Sequence, residues 1–190
     1  MAAVDKLAKM RHLYTSKFIS EFIPYGSRVL EIGGNRETPY WLRIERKYDL
    51  VTVDLRGPVD YLLNVEKDSL EKLEEKFRYV TMFEVIEHLE NPIRALKNIR
   101  NVMEKNGLFL GSTPNRFDPY LFLGAKIHED HNYVFDKLTI NHLLSKCGFK
   151  LIQAKSRIFP IKLSSKIFIS IDISKVIPTG RVIFWVATTN

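Results

Sequence analysis

The densest ligand chemistry of this chain lies in three side chains within five residues: Glu84, Glu87 and His88. Their spacing of three and four puts them on one face if the turn is helical. Downstream comes His128-Glu129-Asp130-His131. Two carboxylates, Glu84 and Glu87, with two imidazoles, His88 and His131, can hold a divalent cation octahedrally and leave positions open for substrate oxygens. Without a cation, His88 or His131 can serve as a general base, because imidazole titrates near neutral pH. The plain alternative is a packing element that orders a loop.

A second group lies upstream, in Val29-Leu30-Glu31-Ile32-Gly33-Gly34-Asn35. Two glycines let the main chain approach a ligand closely, and a strand-to-helix turn offers free N–H groups to a negative group. Asn35 tolerates the left-handed backbone such a turn can need. The Glu31 carboxylate suits a ligand that also carries an amine. Asp54 follows Glu31 by 23 residues, the spacing at which an acid commonly accepts hydrogen bonds from ribose hydroxyls; as a plain structural residue it would start the turn before Gly57. Together the two positions describe a ligand containing a nucleoside.

The elements that must position these groups follow from periodicity. Val4, Leu7, Met10, Tyr14, Phe18 and Phe22 form the stripe of an N-terminal helix within residues 1–23, ended by Pro24 and Gly26. Arg28 to Ile32 is a strand. Thr38-Pro39 starts a helix with Tyr40, Trp41, Ile44 and Tyr48 inside. Leu50 to Val53 is a strand ending at Asp54, and Val59 to Leu63 a short third one. Asp68 caps a helix, with Glu71 completing a capping box and Leu70, Leu73 and Phe77 on the inner face. Tyr79 to Phe83 is a strand. Asn91-Pro92 restarts a helix with the stripe Ile93, Leu96, Ile99 and Met103, ended by Asn106-Gly107. Leu108 to Gly111 is a strand leading into Thr113-Pro114-Asn115.

Residues 115–133 show no period and read as a long loop, a feature usually tied to function. Asp136 caps a helix carrying Ile140, Leu143, Leu144 and Cys147, stopped by Gly148. Phe149 to Ala154 and Arg181 to Thr188 are strands, and residues 164–177 suit helix and strand equally. Strand and helix alternate six times before two closing strands, which is an α/β fold on a mostly parallel sheet. Ligands bind such sheets at the carboxyl ends of the strands, where both groups fall.

Composition sets the outer bounds. The chain has 190 residues, 45% hydrophobic and 27% charged, values of one globular domain rather than of disorder. Its single cysteine, Cys147, excludes an internal disulfide and any multi-cysteine metal site. No apolar run approaches the roughly 20 residues of a membrane span, and charges scattered through Met1 to Lys17 exclude a signal peptide, so the expected location is cytoplasmic. The formal charge is +7 and uneven: Asp49 to Glu90 holds eleven acidic and five basic residues, whereas Lys150 to Asn190 holds seven basic residues and one acid. The basic stretch reads as a solvated face or as a contact for an anionic partner.

The runs around Glu31, Asp54, Phe83-Glu84-Val85-Ile86-Glu87-His88-Leu89-Glu90-Asn91-Pro92, Gly107-Leu108-Phe109-Leu110-Gly111-Ser112-Thr113-Pro114-Asn115 and Gly148-Phe149 resemble class I S-adenosylmethionine-dependent methyltransferases over residues 20–155. The resemblance implies a doubly wound, Rossmann-like, mostly parallel seven-stranded sheet with helices on both faces. It implies a site in which Glu31, Gly33, Gly34 and Asn35 bind the methionine part of the cofactor and Asp54 the ribose. Leu55 would flank the adenine, Asn64 would accept from its amine, and Phe83 and Glu84 would close the site near the sulfur. The Glu-x-x-Glu-His run with a later histidine is similar to small-RNA 3′-terminal 2′-O-methyltransferases, which use a divalent metal, and to ubiquinone-biosynthesis O-methyltransferases.

The reaction so implied is methyl transfer to a hydroxyl on a small molecule or RNA. His88 or His131 would act as base, or all four side chains would act as metal ligands. Residues 115–133 and 164–177 and the N-terminal helix would form the acceptor pocket. A nicotinamide oxidoreductase is disfavoured, because no Gly-x-Gly-x-x-Gly is present. The remaining alternative is a catalytically weak cofactor-binding partner protein.

Overall fold

The computed structural model describes residues 2–34, 47–122, 124, 126–157, 161–162, 168–169 and 180–189. Asn35, the helix expected after Thr38-Pro39, and residues 164–177 other than Phe168 and Ile169 lie outside them. The elements in order are α1 (Ala2–Phe22), β1 (Arg28–Ile32), β2 (Asp49–Asp54), β3 (Tyr61–Leu62), a 3-10 turn (Leu70–Leu73), β4 (Phe77–Phe83) and a 3-10 turn (Ile86–His88). Then come α2 (Pro92–Asn101), β5 (Met103–Pro114), α3 (Pro119–Phe122), α4 (Lys137–Lys146), β6 (Phe149–Arg157), β7 (Ile161–Lys162), β8 (Phe168–Ile169) and β9 (Val182–Thr189).

Seven strands form one sheet in the order β3-β2-β1-β4-β5-β9-β6. The pairs from β3 to β5 are parallel, and β9 runs antiparallel between β5 and β6. The sheet is therefore the doubly wound, mostly parallel one expected. The order reverses between β1 and β4, which opens the crevice where such folds bind ligands.

Alternation on β9 divides the core. Phe184 and Val186 face α1, where Phe184 meets Tyr14 and Phe18 at ring distances of 4.8 and 5.2 Å. Trp185 and Ala187 face the other side, packed with Leu96 and Ile99 of α2 and Ile140 and Leu144 of α4. Gly111 lies opposite Trp185 across the β5–β9 pair, and a side chain there would collide with the indole.

Several local expectations are corrected. Asp68 does not cap a helix over Leu70 to Phe77. Ser69 caps a single 3-10 turn, while the Asp68 carboxylate accepts from Asn64 N–H and Lys72 Nζ. Phe77 belongs to β4, paired with Met103; its four-residue step from Leu73 fits a helix, but cross-strand pairing outweighs that local preference. Helix α2 ends at Asn101 rather than at Asn106-Gly107, so Met103 opens β5, and Ile93 is exposed while Ala95, Leu96 and Ile99 are buried. β5 and β6 are longer than expected because β9 pairs along both. The long loop holds one short helix, α3.

Candidate active site

β1 delivers Glu31 into the interior, where it is 2% exposed and Thr81 Oγ1 of β4 donates to its Oε2. Burial pushes this carboxyl up to about 8 against the pull of the Thr81 hydroxyl. It is an acid held largely neutral at pH 7. Gly33 follows with φ +76 and donates its N–H to Val53 O at 2.8 Å. A Cβ there would strike Val85 Cγ2, so conformation and space both require glycine. Gly34 is buried next to it.

Asp54 ends β2 half-buried, and its Oδ1 accepts from the N–H groups of Leu55 and Arg56. The turn reading of Asp54 therefore holds, and its other carboxylate oxygen has no bond among the described residues. Leu55 is 61% exposed, and Leu62, paired with Asp54 across β2–β3, is 66% exposed. Asn64 lies just beyond β3, but its amide oxygen accepts from Glu66 N–H at 2.8 Å and Lys67 N–H at 3.2 Å. The oxygen expected to meet an adenine amine thus closes its own turn. Phe83 is half-buried at the end of β4.

Beyond β4 the arrangement departs from one helical face. Glu84 has φ +56, outside the 3-10 turn that covers Ile86–His88. Its N–H is held by Ser112 O at 3.0 Å. Ser112 Oγ donates to Glu84 Oε1 at 2.7 Å, and Arg11 Nη1 of α1 donates to Oε2 at 3.2 Å. Glu87 is 1% exposed and takes a hydrogen bond from Thr113 Oγ1 to its Oε2 at 3.0 Å. Ser112 and Thr113 are consecutive in a strand and point to opposite faces, so the two acids are drawn apart. Among the described residues, the side chains whose ligand atoms all fall within 4.8 Å of one another are Glu87, His88 and His131, without Glu84.

Within that trio, Glu87 Oε1 is buried and has no hydrogen-bond partner among the described residues. Burial, then the charge of Glu84, push the Glu87 carboxyl up to about 8. His88 Nδ1 lies 3.0 Å from Asp130 O; a carbonyl only accepts, so Nδ1 carries the proton and neutral His88 keeps Nε2 as an acceptor. Burial, then the neighbouring His88 and His128, hold the His131 imidazole below its usual range. The rings of His88 and His131 meet edge-on at 4.8 Å.

The loop is fastened beneath them. Asn132 N–H and Tyr133 N–H donate to Glu87 O at 2.8 and 3.2 Å, Asn132 Nδ2 donates to His88 O at 3.0 Å, and the Tyr133 hydroxyl donates to Glu90 O at 3.1 Å. Glu87, His88, His131 and Tyr133 border a cavity of about 750 Å³ that Arg11, Asp118, Lys126 and Arg181 also line. Arg11, Ser112 and Asn132 were missed from sequence, because each reaches the site from a distant element. Thr113 belongs to the Thr-Pro-Asn run but had no assigned partner. Of the basic C-terminal residues, Arg157 stacks on Tyr14 and Arg181 pairs with Asp118 at 3.1 Å, while Lys166 and Lys175 lie outside the described residues. No described helix is long and apolar enough to cross a membrane.

The profile of a methyltransferase domain matches residues 7–154. No curated protein matches the chain. A methyltransferase dependent on S-adenosylmethionine from Archaeoglobus fulgidus superposes with a TM-score of 0.69 at 17% identity, covering 96% of this chain and 94% of that one. The N-methyltransferase NodS of Bradyrhizobium japonicum, solved with S-adenosyl-L-homocysteine, gives 0.62 at 12% identity over 95% and 86%. A methyltransferase solved in complex with its activator protein from Haloferax volcanii gives 0.66 at 14% identity over 99% and 93%. With the sheet order and the glycine turn in place, the chain belongs to the methyltransferase-domain family and carries the fold of S-adenosylmethionine-dependent methyltransferases.

Proposed function

We propose that the chain moves the methyl group of S-adenosylmethionine onto a hydroxyl acceptor, a small molecule or an RNA ribose, seated in the cavity beside β4 and β5. The observation that carries this reading is the convergence of Glu87, His88 and His131 on a cavity of about 750 Å³ next to the crevice at β1 and β4. Val85 joins the two halves, touching Gly33 on one side and following Glu84 on the other.

The cofactor supplies an activated methyl on a sulfonium, so the protein's work is positioning and exclusion of water. Gly33 and Gly34 bring main chain to the methionine part, with Glu31 on its amine. Asp54 takes the ribose hydroxyls, Leu55 with Leu62 covers the adenine, and Phe83 walls the sulfur. His131, whose burial keeps it neutral, accepts the hydroxyl proton, with His88 beside it. Glu84 carries a charge at the cavity wall, balanced by Arg11.

A divalent cation is the second reading, favoured by the orphaned Glu87 Oε1. Glu87, His88 and His131 would hold it, with manganese, cobalt or zinc preferred over magnesium by the imidazoles. It would lower the hydroxyl's pKa, and the histidines would then be ligands rather than bases.

The test is transfer of labelled methyl to hydroxyl acceptors and to short RNA, with and without chelator. His131→Ala is expected to abolish transfer while S-adenosylhomocysteine still binds. Loss of transfer in chelator selects the cation, and persistence selects the base. Transfer to amines but not to hydroxyls refutes the acceptor class. RNA affinity that falls steeply with salt would assign the basic C-terminal stretch to a nucleic-acid acceptor.

A further inference from the structure

Thr113 is fully buried in β5, paired with Ile183 of β9, and its β-branched side chain has few rotamers available. Its hydroxyl donates to Glu87 Oε2 at 3.0 Å, Glu87 Oε1 is buried without a partner among the described residues, and a carboxylate oxygen of Glu87 lies within 4.8 Å of donor atoms of His88 and His131. A bond whose only purpose was to satisfy a buried acid would leave no reason for the other oxygen to be enclosed without a partner.

We propose that Thr113 is a positioning residue for a divalent-cation site at Glu87, His88 and His131, holding one carboxylate oxygen so that the other faces the imidazoles. This rests on the cation reading above. The Asp130 carbonyl does the same for His88 by fixing its tautomer. Partners of this kind orient metal ligands, and their loss typically lowers metal affinity about 10- to 100-fold. Ser112, one residue earlier, holds Glu84 on the opposite face and serves as the internal control.

The experiment is manganese(II) titration of the full chain, followed by electron paramagnetic resonance, with melting temperature measured in chelator alongside. Thr113→Val is expected to weaken manganese binding at least tenfold, Thr113→Ser to stay within threefold of wild type, and Ser112→Ala to leave manganese affinity unchanged. Thr113→Ala carries the same expectation should the valine variant be insoluble. A merely structural threonine would lower the melting temperature in chelator and leave affinity intact. Manganese affinity unchanged in Thr113→Val, or in Thr113→Ala, overturns the proposal while sparing the cation reading. Absence of manganese binding by wild type overturns both.

Discussion

Binding of S-adenosylhomocysteine is expected to expel a proton from Glu31. In the ligand-free protein this carboxyl titrates at about 8, raised from 4.5 by burial. The ligand's amine needs the carboxylate form. Below pH 8 each binding event must therefore first remove a proton, and each pH unit costs about 1.4 kcal/mol, or tenfold in affinity. The affinity should climb about ninefold from pH 6 to pH 7, about fivefold from pH 7 to pH 8, and then level. At pH 7 about nine in ten ligand-free molecules carry the proton, so roughly 0.9 proton should leave per ligand bound. Isothermal calorimetry in buffers of differing ionisation enthalpy reads that number directly. Glu31→Gln should bind more weakly, with neither the slope nor the proton. Glu87 also titrates near 8, so Glu87→Gln is the control and should keep both. Enthalpy independent of buffer, with flat affinity across this range, refutes the reasoning.

Asp54→Ala should weaken S-adenosylhomocysteine binding by at least ~1.5 kcal/mol, the value of a hydrogen bond to a charged group, as read by calorimetry; equal binding would remove Asp54 from the site. Gly33→Ala forces a side chain into φ +76 and against Val85, so it should cost about 1–3 kcal/mol of stability in denaturant unfolding and lose cofactor binding. Glu31 and Glu87 keep protons in the folded state that the unfolded chain releases above about 4.5. Ligand-free stability is therefore greatest below that pH from these two groups and declines as pH rises toward 8. Calorimetric melting across pH 5 to 8 should show the decline, reduced in Glu31→Gln.

What was legible in the sequence was what short-range rules decide. Glu31, Gly33 and Asp54 sit at strand ends whose spacing is local, and the structure places all three at the ends of β1 and β2. Alternation on β9 and the caps at Asn91 and Asp136 are local too. The Glu84 geometry was not, because its backbone is turned left-handed and anchored by Ser112 of β5, 28 residues away, and its charge is met by Arg11, 73 residues away. A three- and four-residue spacing defines a shared face only where a helix exists, and here the helical turn begins two residues too late. The turn closed by Asn64 was not legible for a similar reason: an asparagine can turn its amide on its own backbone as easily as on a ligand.

Part of the fastening of residues 128–133 is main chain. Glu87 O receives two backbone N–H groups, and His88 leans on the Asp130 carbonyl. Such contacts are blind to side-chain identity, since every residue but proline carries the same N–H and C=O. The side chain of Glu129 can therefore change without breaking these bonds, whereas His128 lines the cavity and its ring meets that of His131 at 5.3 Å. Under the proposed function, substitutions at position 129 are the ones this loop should accept at little structural cost, with His131 left in register.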